Sequence, residues 1–213
     1  MTTTTLPILS GDTGLSHYLN EIKQFPILSA DEELSLAKNF LENGEAEAAH
    51  KLVTSHLRLV AKIAMQYRGY GLPVADLISE GNLGLMKAVK KFDPDRGCRL
   101  STYAMWWIKA SVTEYILRTW SLVKMGTMSA QKKLFFSLRK AKRKLNIIDA
   151  KSIDPEKAES LAKQFSMSAA EITHMDRRIT ARDLSLNAPV SNSDDESMEF
   201  LDILEDETPS PEA

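Results

Sequence analysis

STYAMWWIKASVTEYILRTW, residues 101–120, sets Trp106 and Trp107 side by side with Tyr103 one helical turn before them. At 100° per residue, Ala104, Ile108, Val112, Tyr115 and Ile116 fall within a sector of about 120°, enough for a core face. Tyr103, Trp106, Trp107 and Ala110 fall in a second sector, about 100° wide and roughly opposite, and share that side of the helix with Lys109, Thr113 and Glu114. Two arrangements satisfy this pattern. Leu117 on the aromatic side speaks for a helix buried on both sides, whereas two indoles beside a lysine speak for a surface held out to a ligand. Stacking is the chemistry such a surface offers: an aromatic platform contributes about 1–3 kcal/mol per unstacked base while Lys and Arg hold the phosphates. Single-stranded or opening nucleic acid fits better than duplex major-groove readout, which favours Arg, Asn and Gln on a recognition helix.

The segment before it, DLISEGNLGLMKAVKKF, repeats the two-sided pattern. Leu77, Ile78, Leu85, Ala88, Val89 and Phe92 form one apolar side, which leaves Leu83 and Met86 opposite, among Asp76, Ser79 and Glu80. Apolar residues ringed by carboxylates suit a protein partner or a second internal contact. In QKKLFFSLRKAKRKL the stripe is Leu134, Phe135, Leu138, Ala141 and Leu145, with Phe136 among Lys132, Arg139, Lys140 and Arg143 on the other side.

Elsewhere glycine and proline are sparse, apolar residues recur at helical spacing and no alternating segment reads as a strand, so the expected fold class is all-α. A short helix runs to about Gln24, Pro26 breaks it, and Ser29 with Glu32 forms a capping box for the next. The long helix that follows ends at Gly69 and Gly71, Pro73 and Asp76 open another, and Ser101 or Thr102 is the expected cap of the aromatic helix. Pro155 starts a further helix and Ser168 one more. Residues 157–180 match a helix-turn-helix only loosely, and a plain three-helix unit is the simpler expectation.

The net charge of −2 conceals an asymmetry, because residues 90–145 hold 14 Lys/Arg against 3 Asp/Glu. A basic block in an acidic protein marks a polyanion-binding surface or a solvated face. The twenty residues from Asp194 carry nine acidic and no basic residues, with Phe200, Leu201, Ile203 and Leu204 embedded in them, and read as an extended acidic segment with apolar anchors. The lone Cys98 and the scattered His17, His50, His56 and His174 match no disulfide or metal-ligand spacing. Neither cofactor nor metal is expected. No carboxylate pair, activated nucleophile or phosphate-binding glycine loop suggests an enzyme, and no apolar run approaches the ~18 residues of a membrane span. A cytoplasmic location is the expectation.

The run DLISEGNLGLMKAVKKFDPDRGCRLSTYAMWWIKASVTEYILR resembles regions 2.2 to 2.4 of a bacterial sigma factor of the sigma-70 superfamily, and QKKLFFSLRKAKRKL is similar to the segment peculiar to its heat-shock branch. The resemblance implies a disordered start at 1–12, regions 1.2 and 2 over 13–125, region 3 over 126–182 and an acidic linker over 183–213. It implies a non-enzyme that binds core RNA polymerase and opens the minus-ten element of promoters. Asp76, Ser79, Glu80, Asn82, Leu83 and Met86 would dock on the clamp helices of the polymerase β′ subunit. Tyr103 would stack on the flipped adenine of the minus-ten element, Trp106 and Trp107 would wedge at the upstream edge of that element, and Arg99, Lys109, Thr113 and Lys124 would complete the DNA surface. Gln131 and Met128 would lie near extended minus-ten contacts, and Lys132, Phe135, Phe136 and Arg139 would belong to the heat-shock segment. Chaperones and a membrane-bound protease are implied as regulators.

Some positions depart from the family pattern. Ser79 and Ala110 stand where glutamines are usual, and Cys98 and Leu100 replace aromatic residues, which implies a reduced base-binding surface there. No second helix-turn-helix follows EDETPSPEA, so the expectation is either a fragment or a chain unable to read a minus-thirty-five element. A truncated sigma-like protein that occupies polymerase without directing initiation is the alternative.

Overall fold

Leu100, Ala104, Ile108, Val112 and Ile116 recur every fourth residue, and the computed structural model buries all five. It describes residues 11–123, 129–144, 155–180, 183–190 and 198–204. Of the start expected to be disordered at 1–12, residues 1–10 lie outside the described residues and Gly11 and Asp12 begin a helix; Lys124, Met128 and the tail from 205 also lie outside them, as does the side chain of Arg139. The described residues form helices and short turns with no strand longer than an isolated bridge. Two units divide the chain at Trp120 and Ser121.

The first unit contains α1 (Gly11–Glu21), α2 (Ala30–Asn43), α3 (Ala46–Met65), α4 (Val74–Lys91) and α5 (Leu100–Thr119). Ser29 and Glu32 build the expected capping box at the start of α2, each accepting from the other's backbone N–H. Gly44 ends α2 in the left-handed region that glycine enters without a Cβ clash. Helix α3 stops at Met65, and Gly71 closes the following 3₁₀ turn, Arg68–Tyr70, before Pro73 positions α4. Every residue of the apolar side expected for α4 is buried.

Helices α4 and α5 touch backbone to backbone. A Cβ on Gly84 would stand 2.7 Å from the Trp107 carbonyl oxygen and 3.0 Å from Ile108 Cα, and one on Gly81 would stand 2.6 Å from Val60 of α3. Those two glycines allow α4 to sink against α5 and α3, and this fixes which sector of α5 is left over.

The second unit packs α6 (Ser129–Lys144), α7 (Pro155–Phe165) and α8 (Ala169–Thr180) around Leu134, Phe135, Leu138, Leu161, Phe165, Ile172 and Met175. Ser168 and Glu171 cap α8 as Ser29 and Glu32 cap α2. Phe136 is not the exposed ring expected. It is half-buried and meets Phe135 edge-on at 5.0 Å between centroids. Asp183 accepts from Ser121 Oγ and Leu122 N–H, which ties the start of this unit to the chain beyond α8.

Of the acidic tail expected as extended, residues 198–204 are described: Val190 N–H donates to the Met198 carbonyl and Phe200 N–H to that of Ala188, and α9 (Phe200–Ile203) is helical. Phe200, Leu201, Ile203 and Leu204 are exposed on it.

Candidate nucleic-acid interface

The aromatic helix begins one residue earlier than Ser101, at Leu100, and neither Ser101 nor Thr102 caps it. The acceptor comes from another helix. Glu33 of α2, 3% exposed, takes the Leu100 N–H on Oε1 at 2.6 Å. The same carboxylate receives Arg99 Nε at 3.2 Å and Nη2 at 3.0 Å, and His56 Nε2 stands 3.7 Å away. These hydrogen bonds, with the charge of Glu33, raise the proton affinity of the Arg99 guanidinium. A buried carboxylate at a helix N-terminus also complements its dipole. The start of the aromatic helix is therefore set by α2, a link that periodicity cannot reveal because Glu33 and Leu100 are far apart in sequence.

The second sector of α5 is not uniform. Trp106 is 71% exposed, whereas Tyr103 and Trp107 are half-buried. Tyr103 leans on Phe92 at 5.9 Å and meets Trp107 edge-on at 6.3 Å. Lys91 Nζ sits 4.8 Å from the Trp107 ring centroid, a cation–π contact that steadies the indole and puts positive charge beside it. Phe92, Tyr103 and Trp107 thus form a supported ladder, with Trp106 projecting next to it. Lys109 is half-buried, and Thr113 Oγ donates to the Lys109 carbonyl at 2.7 Å, so its hydroxyl is used within the helix. Tyr115 leaves the expected core face: it is half-buried and its hydroxyl donates to Asp76 at 3.2 Å. Burial first, and the Asp76 charge second, raise its pKa. Leu100, expected as a thinned part of the base-binding surface, is fully buried and belongs to the core.

Beside the start of α5 opens a cleft of about 340 Å³ that the sequence reading missed. Ile27, Leu28 and Leu59 supply apolar wall, and Arg58, Lys62 and Arg99 supply cations. Arg58 and Lys62, four apart on α3, were the signal available. Apolar walls with a cationic rim suit a base and its phosphate.

On α4 the polar surroundings fall as expected around Leu83 and Met86, which are 49% and 47% exposed. Asp76 and Ser79 are exposed, and Glu80 is half-buried and pairs with Arg118 at 3.3 Å. Asn82 turns instead toward α1, its amide donating to the Tyr18 hydroxyl at 3.3 Å. Gln131 is half-buried and Lys132 exposed on α6.

Family models match at two places: Sigma-70 factor, region 1.2, over residues 15–46, and Sigma-70 region 2 over residues 52–122. The RNA polymerase sigma factor RpoH of Rhizobium radiobacter is 56% identical over 206 residues, covering 97% of this chain and 68% of the relative. This chain belongs to the sigma-70 family. The RpoH sigma factor of Caulobacter vibrioides is also 56% identical, over 97% of the chain and 70% of its own length. The RNA polymerase sigma-C factor of Myxococcus xanthus is 47% identical over 93% of the chain. Region 2 spans α4 and α5, so the laddered aromatics and the exposed Leu83 and Met86 all lie within the sigma-70 match. No described helix is long and apolar enough to cross a membrane.

Proposed function

We infer that the chain is an RNA polymerase sigma factor of the heat-shock type, which binds core polymerase and directs recognition and melting of the minus-ten element. The observation that carries this reading is the pairing of two unlike surfaces on packed neighbours. Helix α5 presents Trp106 beside the Tyr103 and Trp107 ladder, and α4 presents Leu83 and Met86 among carboxylates. The first suits stacked bases and the second a protein with apolar and cationic side chains.

In this reading Tyr103 and Trp107 receive an unstacked base, Trp106 wedges at the duplex edge, and Lys109 with Lys124 holds phosphates. The cleft edged by Arg58, Lys62 and Arg99 takes a further base of the same strand. Thr113 shapes the upstream edge, and Gln131 reaches the duplex beyond it. Asp76, Ser79, Glu80, Leu83 and Met86 dock on the β′ clamp helices, and Asn82, bonded to Tyr18 in the free chain, joins them only by leaving that hydroxyl. Lys132, Phe135, Phe136 and Arg139 carry the heat-shock segment, Phe135 as core support. Chaperones and a membrane-bound protease enter as regulators by resemblance alone.

Magnitudes require the polymerase. Opening about ten base-pair steps costs on the order of 14 kcal/mol at ~1.4 each, whereas two stacked bases return roughly 2–6. The chain nucleates melting and core polymerase sustains it. Separation of the two surfaces is the test. Trp106→Ala and Tyr103→Ala should impair promoter opening with polymerase binding intact, and Leu83→Ser with Met86→Ser should weaken polymerase binding itself. Unchanged opening in both aromatic variants would remove the rings from the mechanism. Tight polymerase binding with no initiation by the wild type would favour the occupying, non-directing alternative.

A further inference from the structure

We propose that Arg118 is a phosphate contact held in reserve, released to DNA when a cationic partner surface engages Asp76 and Glu80. This deepens, and rests on, the assignment of α4 to polymerase and α5 to DNA. Asp76 and Glu80 lie one turn apart on α4, opposite Tyr115 and Arg118, one turn apart on α5. Arg118 Nη2 donates to Glu80 Oε1 at 3.3 Å, and its guanidinium carbon stands 5.8 Å from the centre of the Tyr115 ring. The Tyr115 hydroxyl donates in turn to Asp76 at 3.2 Å. Both carboxylates of the docking surface are thus bonded to the DNA-facing helix.

Position fits the second partner as well. Arg118 follows Trp107 by eleven residues, which places it about 20° around the helix and about 16 Å farther along it. It therefore continues the aromatic side upstream, by about five phosphate steps of a duplex strand. Its chemistry allows the exchange, since a guanidinium binds carboxylate and phosphate oxygens with the same fork of N–H donors. The Arg118 side chain is 71% exposed and that of Glu80 25%, so the pair is screened and weak enough to be displaced. When cations of the polymerase take Glu80 and Asp76, Arg118 loses its partner and a phosphate becomes its best acceptor. Linkage makes the effect mutual: DNA on Arg118 frees Glu80 for polymerase.

The test uses a fork-junction oligonucleotide, duplex upstream of a single-stranded minus-ten segment, bound over a salt series. In the free chain, Glu80→Ala should tighten binding about two- to five-fold and steepen the logarithmic salt slope by about 0.7–0.9, one phosphate contact. The same substitution made in an Arg118→Ala chain should leave the slope unchanged. With core polymerase bound, Arg118→Ala alone should flatten the slope by about 0.7–0.9. An unchanged slope for Glu80→Ala in the free chain, or an equal steepening with and without Arg118, overturns the proposal. Loss of binding by Tyr103→Ala with polymerase, while Arg118→Ala leaves both slopes alone, would overturn the reserve contact and keep the functional reading. Failure of the polymerase complex to bind the fork would count against the functional reading, and the free-chain comparison would still decide Arg118.

Discussion

Replacing Glu33 by alanine should loosen the start of the aromatic helix without touching an aromatic residue. The Leu100 N–H is buried and has Glu33 Oε1 as its acceptor at 2.6 Å. Leaving a buried donor unsatisfied costs about 1–3 kcal/mol. Arg99 adds less, since its side chain is 49% exposed and rehydrates, which limits that share to about 0–1 kcal/mol. The sum, about 1–4 kcal/mol, is a large part of the ~5–15 kcal/mol that holds an ordinary domain together. Denaturant unfolding followed by tryptophan fluorescence isolates the first unit, because Trp106, Trp107 and Trp120 are the chain's three tryptophans and all lie in it. Glu33→Ala should lose about 1–4 kcal/mol, Arg99→Ala about 0–1, and Ser101→Ala under about 0.5 because Ser101 caps nothing. Stability within about 0.5 kcal/mol of wild type for Glu33→Ala would refute the cross-helix cap.

Three further outcomes follow from the geometry. Gly84→Ala drives a methyl into the Trp107 carbonyl and Ile108 Cα, and should cost about 1–3 kcal/mol in the same unfolding assay, whereas Gly14→Ala, with nothing within 4 Å, should be neutral or stabilising. Ser166 closes α7 at φ 54°, with Met167 N–H donating to the Ala162 carbonyl, so Ser166→Gly should raise the melting temperature of the second unit, measured by hydrogen exchange in α7 and α8. The Ser29 backbone and hydroxyl hold the Glu32 carboxyl below its usual pKa, as Ser168 does for Glu171. A depressed carboxylate stabilises above its unfolded value of 4.5 and loses that contribution as pH falls through the folded value. The stability difference between wild type and Glu32→Gln should therefore be present at neutral pH and vanish in acid.

Local signals carried much of the architecture. The spacing of Leu77, Ile78, Leu85, Ala88 and Val89 placed the buried side of α4, and Ser29 with Glu32 placed the start of α2, because each depends on neighbours within two turns. The aromatic sector of α5 was legible as a sector but not as individual rings. Trp106 and Trp107 differ in exposure because Lys91 and Tyr103 reach one indole and not the other. Glu33 was invisible for the same reason: a surface-looking glutamate in a capping region becomes buried only when α2 meets the start of α5. Tyr115 lies between the buried Ala104 and Ile108 on the wheel, but Asp76 on α4 draws its hydroxyl outward. The pairing of residues 186–190 with 198–201 rests on backbone hydrogen bonds, for which composition gives no sign.

The most direct measurement is the affinity of a labelled fork-junction oligonucleotide, duplex upstream of a single-stranded minus-ten segment, with and without core RNA polymerase, for wild type and Trp106→Ala. Trp106 is 71% exposed, so its removal should leave folding intact and report on binding alone. Tight binding that requires polymerase and falls about five- to hundred-fold in the variant, the worth of about 1–3 kcal/mol of stacking, is the predicted result. Binding indifferent to both polymerase and Trp106 would contradict the account and leave α5 a basic helix with phosphate affinity only.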